Sequence, residues 1–201
     1  MSERERWQQN YAASNYIFGT EPNAFLRANT YRLKPGWKAL AIADGEGRNG
    51  VWLAEHGLDV RTLDFSPNAI AKARALAAER GVSLHIEEAD LTRWTWPGPV
   101  YDLIVGIFFQ FADPARRDRI FDGIKQALKP GGLLLIQGYG LGQLQYATGG
   151  PKQADHLYSR ALLETAFTGF ASLEIREHVS VLAEGTRHVG LSALVDLVGV
   201  K

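Results

Sequence analysis

Short apolar runs alternate with helix-spaced segments from residue 37 onward. Residues 38–43 (KALAIA) form an apolar run that stops at Asp44–Gly45, the pattern of a strand feeding a turn. Residues 48–56 place Val51, Trp52 and Ala54–Glu55 ahead of Gly57, which predicts a helix with a glycine stop. Residues 58–63 (LDVRTL) alternate as a strand does. Ser66 then caps a helix with Pro67 in its first turn, carrying Ile70, Ala73, Leu76 and Ala77 at helical spacing as far as Gly81. Further strands are predicted at 82–86 (VSLHI), 100–108 (VYDLIVGIF) and 132–137 (GLLLIQ). A helix over 114–128 presents Ile120, Phe121, Ile124 and Leu128 on one face, and Pro130-Gly131-Gly132 ends it. Residues 138–158 are glycine-rich and predict a long loop, and Ser159 opens a helix that ends near Phe167. Residues 171–182 and 188–199 read as two strands joined by a short turn around Glu184–Gly185, hence antiparallel. Ahead of all this, residues 1–36 are polar and aromatic, with a loop marked by Gly19 and Pro22 and a short helix over 23–33. Buried strands alternating with helices predict an α/β, doubly wound sheet covered on both faces, with right-handed crossovers.

Composition narrows the chemistry. The chain has 201 residues, a length that fits one domain, 1–201. Lys+Arg and Asp+Glu are 22 each, so no basic field attracts nucleic acid or an anionic membrane. There are no cysteines, which excludes disulfides, a thiolate nucleophile and cysteine-based zinc sites. The five histidines (His56, His85, His156, His178, His188) show no ligand spacing, so no metal site is expected. The charged start and the lack of an apolar run long enough to span a membrane make a cytoplasmic protein the expectation.

The segment Asp44–Gly50 reads DGEGRNG and contains G-x-G-x-x-G at Gly45, Gly47 and Gly50, between a predicted strand and helix. Glycines there let backbone approach a ligand, and the helix N-terminus offers free N–H groups; alternatively they make no more than a tight turn. Asp64 ends the next strand, where a carboxylate can accept both hydroxyls of a ribose. Two nucleotide ligands compete. A dinucleotide, as in an NAD(P)-dependent oxidoreductase, would place a pyrophosphate against Asp44 and Glu46, which repel it. S-adenosylmethionine carries an ammonium and a sulfonium, which those acids suit.

Along nearly its whole length the chain resembles a class I S-adenosylmethionine-dependent methyltransferase. The likeness rests on the turn at 44–50, Asp64, Asp90–Leu91, YDLIVGIF at 101–108 and LKPGG at 128–132. YIFGTEPN at 16–23, GRN at 47–49, GGP at 149–151 and EGTRHVG at 184–190 are most similar to the small tellurite-resistance and thiopurine-like group. The resemblance implies a Rossmann-like methyltransferase fold with sheet order 3-2-1-4-5-7-6 and strand 7 antiparallel. It implies that Asp44, Gly45 and Gly47 line the methionine part, with Glu46 and Asn49 in the same loop. Asp64 would hold the ribose, Phe65 and Ser66 flank the adenine, Asp90 and Leu91 meet its amino edge, and Gly106 and Ile107 face the sulfonium. Each has a plainer alternative: Phe65 in the core, Asp90 capping a turn before Thr92, Gly106 a packing glycine. The chain departs from the family at Ala41, where an acid is common, and at Ala43, where the motif's first glycine stands. This leaves Asp44 or Glu46 to hold the donor's amino group, and makes a non-catalytic binder of the donor a rival reading.

Tyr16, Phe18 and Gly19 lie in a segment, 1–36, that would cap the site. Its aromatics would attract a sulfonium by cation–π interaction, or else pack the following helix. Candidates for a general base are His188, Tyr139 and His156, with Arg187 beside His188 to bind an oxyanion; a solvent-exposed histidine in a hairpin turn is the alternative, and Glu184 reads as turn surface. Phe108, Phe109, Phe111 and Tyr139 suggest an apolar mouth for a small-molecule acceptor through S, Se, Te or O. The Asn-Pro-Pro-Tyr-like signature of amino-methylating nucleic-acid enzymes is missing after the fourth strand.

Overall fold

The computed structural model describes residues 3–146 and 148–201. In chain order the helices are α1 (Glu3–Asn10), α2 (Ala24–Ala28), α3 (Arg48–Glu55), α4 (Pro67–Glu79), α5 (Pro114–Ala127) and α6 (Arg160–Ala166). The strands are β1 (Lys38–Ile42), β2 (Asp59–Asp64), β3 (His85–Glu88), β4 (Tyr101–Ile107), β5 (Leu128–Tyr139), β6 (Ser172–Glu184) and β7 (His188–Val200). They form one seven-stranded sheet in the order β3-β2-β1-β4-β5-β7-β6. The first five are mutually parallel, and β7 runs antiparallel to both β5 and β6.

Alternation along the central strands divides the core. Leu40, Ile42, Ile104, Leu134 and Ile136 face α5 and α6, joined by Ile120, Phe121, Ile124 and Leu163. Ala39, Leu103, Val105, Leu133 and Leu135 face the other way, onto Leu26, Trp52 and Leu53. Side chains of period two on strands buried on both sides produce two such layers. The helix starts follow local chemistry: Asn23, Ser66, Asp113 and Ser159 each accept a backbone N–H from the first turn they precede.

The structure shifts some predicted boundaries. Strand β3 starts at His85 rather than Val82, because Val82 and Leu84 pack beside Val51, Leu76 and Ala77, and pairing to β2 begins at Arg61↔His85. The 23–33 helix breaks at Asn29 into α2 and a 3₁₀ turn, Thr30–Arg32. Helix α5 stops at Ala127 because Leu128 already pairs with Tyr101. Helix α1 was not predicted.

Candidate functional site

Strand order reverses between β1 and β4, and open α/β sheets bind ligands in the crevice at such a switch point. Here both strands end in left-handed backbone at residues that are not glycine: Ala43 has φ 46° and Phe108 has φ 54°. Such conformations are strained for L-residues and concentrate at functional sites. A cavity of about 550 Å³ opens between the two bends.

One wall is acidic. Asp44 lies at the cavity edge, and its Oδ2 accepts the Gly50 N–H at 2.9 Å. Burial pushes its carboxyl up to about 7, against the pull of the Gly50 amide and Arg48, and Asp64 pushes it further up. Asp64 accepts the Gly45 N–H on Oδ2 and the Ser66 N–H on Oδ1, both at 2.9 Å. Burial raises it to about 6 despite those amides. Tyr11 roofs this wall. A Cβ on Gly45 would sit 2.7 Å from the Tyr11 hydroxyl, so only glycine admits that approach. Burial, then the Asp64, Glu46 and Asp44 charges, push the Tyr11 phenol well up.

Aromatic and basic groups line the same cavity. The His188 ring centroid lies 4.4 Å from that of Phe18, 4.3 Å from Phe108 and 6.0 Å from Tyr139. Arg187, Lys152 and His156 line the same end. Glu184 Oε2 accepts Arg48 Nη2 at 2.7 Å, and its Oε1 accepts Asn23 Nδ2 at 2.9 Å and the Ala24 N–H at 3.2 Å. The turn between β6 and β7 is thereby tied to the N-terminal segment, and the Thr186 N–H donates to the Ile17 carbonyl at 2.8 Å.

Of the residues expected at the donor, Phe18, Asp44, Gly45, Asn49, Asp64, Phe65 and Ile107 line this cavity. The others do not line it, each for an identifiable reason. Gly47 packs on α4: a Cβ there would lie 2.6 Å from that of Ala73. Glu46 is buried against Lys72 Nζ at 2.7 Å and accepts the Phe18 N–H, so its charge is neutralised away from the cavity. Ser66 is consumed as the α4 cap and donates to Gln8 Oε1 at 2.6 Å. Asp90 is exposed and caps Thr92 through its N–H and hydroxyl, the plainer alternative for that residue. Leu91 is core. Gly106 makes room for Phe109. Tyr16 donates to the Lys72 carbonyl at 3.0 Å, and Gly19 faces Gly185.

At the other end, His188, Arg187 and Tyr139 all line the cavity. Glu184 is not turn surface: its side chain is 11% exposed and ion-paired to Arg48. Sequence reasoning missed Trp7, Asn10 and Tyr11 on or just past α1, and Arg48, Gln110 and Lys152. The i, i+4 pair Trp7–Tyr11 was the available signal, and those rings stack at 5.5 Å.

Comparison with known proteins agrees with this geometry. Residues 39–132 match the model of a family described as a methyltransferase domain. That match takes in just under half of the chain and is to a methyltransferase domain. A wheat (Triticum aestivum) phosphoethanolamine N-methyltransferase is 32% identical over 110 residues, 53% of this chain and 21% of that protein. The chain thus spans about a fifth of the length of that curated relative. TehB from Haemophilus influenzae superposes with a TM-score of 0.74 at 18% identity, covering 98% of this chain and 66% of that one. Phosphoethanolamine N-methyltransferase 2 from Haemonchus contortus, solved in complex with S-adenosyl-L-methionine, gives 0.69 at 19%, covering 98% and 56%. At these identities the structures establish the fold, a Rossmann-like methyltransferase sheet.

The cavity fits S-adenosylmethionine. Two carboxylates that burial has made costly to ionise face the space where an ammonium and a sulfonium would offset them. The same wall disfavours a dinucleotide. The amide of Gly50 in the first turn of α3, where a pyrophosphate would bind, is already taken by Asp44. Among the described residues no cluster of His, Asp and Glu has the form of a metal site, and no helix is long and apolar enough to cross a membrane.

Proposed function

We propose that the chain transfers a methyl group from S-adenosylmethionine to a small-molecule acceptor in the cavity between β1 and β4. The observation that carries this is that Asp44 and Asp64 line one cavity together with aromatic and basic side chains. When bound, the cofactor supplies an activated methyl group on a good leaving group. The chain's own task is alignment, and orientation alone is able to lower such a barrier by ~7–11 kcal/mol.

In this reading Asp64 holds the ribose hydroxyls with its remaining acceptor capacity, and Phe65 flanks the adenine. Asp44 and Asn49 take the amino-acid end, Gly45 gives backbone access, and Ile107 borders the sulfonium. Phe18 offers an aromatic face to the positive charge. Residues 3–36 act as a cap, with Trp7 and Tyr11 excluding water. At the acceptor end, Lys152 has no partner and Arg187 contacts only Asn10 Oδ1, at 3.4 Å, among the described residues. Two cations without carboxylates favour an acceptor that carries an acidic or oxyanionic group. The similarity of the fold to TehB supports, at the level of architecture, the small-molecule group named from the sequence.

Asp64→Ala tests the donor assignment. Loss of hydrogen bonds to a charged group costs ~1.5–3 kcal/mol, so calorimetry is expected to show donor affinity falling ~10–150-fold. An unchanged dissociation constant refutes the ribose assignment.

A further inference from the structure

The β6–β7 turn brings an imidazole and a carboxylate together at the acceptor end. His188 Nδ1 is fully buried and has no hydrogen-bond partner. It lies 3.7 Å from Glu184 Oε2, too far for a hydrogen bond but close enough for an ion pair if the ring is protonated. Glu184 is held from three sides, by Arg48, Asn23 and the Ala24 amide, and so cannot swing away. Phe18 and Phe108 press on the ring, fixing its plane. With Nδ1 turned to the carboxylate, Nε2 is the nitrogen left to the cavity. The hydroxyl of Tyr139, a further ring beside His188, also lacks a partner.

We propose that His188, positioned by Glu184, is the general base, and that the acceptor is therefore an O–H or N–H compound that must lose a proton. This rests on the methyl-transfer reading above and narrows its substrate class. His188 Nε2 takes the proton as the acceptor's lone pair forms the new bond to carbon and the carbon–sulfur bond breaks with its electron pair on sulfur, leaving a neutral thioether. The groups facing the imidazole are consistent with this role. Burial lowers its pKa, the Arg48 charge lowers it further and Glu184 opposes both, so the ring is neutral and free to accept at neutral pH. Burial raises Glu184, but the ion pair with Arg48 and the Ala24 amide outweigh it, so it stays ionised to receive the imidazolium charge. Tyr139 is held neutral by burial and by the Glu184 charge, and Arg187 adjoins on the same strand end.

The test uses the intact chain saturated with S-adenosylhomocysteine, with 4-nitrophenol as a chromogenic stand-in for the acceptor, below the pH at which the free phenol ionises. The expected result is a phenolate absorbance band from bound probe. His188→Gln is expected to abolish the band while leaving S-adenosylhomocysteine affinity unchanged. Glu184→Gln is expected to lower the phenolate-to-phenol ratio about ten-fold, the effect of one pKa unit on the imidazole. The intact chain forming no band although it binds S-adenosylhomocysteine overturns the proposal. So does a band that survives His188→Gln, including one that then falls in Arg187→Gln, which assigns the proton shift to the arginine's charge. A chain that does not bind S-adenosylhomocysteine at all overturns the reading underneath it.

Discussion

Asp44→Asn removes a charge that burial disfavours and that, in the proposed reading, pairs with the donor's ammonium. The Asp44 carboxyl is pushed up to about 7, well above the ordinary carboxylate range, burial being the main cause. The folded state holds this proton more tightly than the unfolded chain, so stability falls as pH rises from about 4 to about 7 and is flat above. A shift of about three units at ~1.4 kcal/mol each sets a ceiling of ~4 kcal/mol on the cost of ionised Asp44. Asparagine keeps an oxygen for the Gly50 amide and carries no such cost. In a chain of this size, ~1 kcal/mol moves Tm by ~2–4 °C. Ligand-free Asp44→Asn is therefore expected to melt higher than the native chain by up to ~8–16 °C at pH 8, the gain vanishing towards pH 4. Donor affinity is expected to fall at the same time, because the ammonium loses its counter-charge. Differential scanning fluorimetry from pH 4 to pH 8, with and without S-adenosylhomocysteine, reads both effects. A variant that melts below the native chain at pH 8, or keeps the native pH slope, refutes the argument that burial of this acid is costly.

Other perturbations separate fold from site. Gly47→Ala puts a methyl group 2.6 Å from the Ala73 Cβ at φ 87°, so chemical denaturation is expected to show a loss of ~2–4 kcal/mol whether or not donor is present. Ala43→Gly relieves a left-handed residue, and urea titration is expected to show a gain of ~0.5–1 kcal/mol after the added freedom of the unfolded chain is set against it. Lys72→Ala leaves Glu46, 1% exposed, buried without its partner; a loss of ~3–5 kcal/mol is expected on denaturation, and a loss below ~1 kcal/mol contradicts the ion-pair account.

The sheet was legible because its central strands are apolar on both faces and punctuated by helix caps. KALAIA and DLIVGI admit few other readings, and the antiparallel end followed from two long runs joined by a short turn. The two acids that line the cavity, Asp44 and Asp64, were legible as a pair because each directly follows or ends a strand. The glycine motif was legible in place but not in role. Spacing locates Gly47 and Gly106, whereas only packing shows that one meets Ala73 and the other Phe109. Helix α1 was hidden because ERERWQQN has no apolar stripe; its position depends on contacts with α4 such as Gln8 to Ser66. The burial of Glu184 was hidden for a related reason. Glu184 pairs with Arg48, 136 residues away, and no local pattern in EGTRH encodes that its carboxylate is buried.

An acidic cavity selects its ligand by charge. Isothermal titration of the intact chain with S-adenosylmethionine, S-adenosylhomocysteine and NADH, at pH 6 and pH 8, measures this. Saturable binding of the two sulfur nucleosides is expected, tighter at pH 8 because ionising Asp44 and Asp64 is then no longer part of binding, with no heat from NADH. Tight binding of NADH together with no response to either sulfur nucleoside contradicts the account.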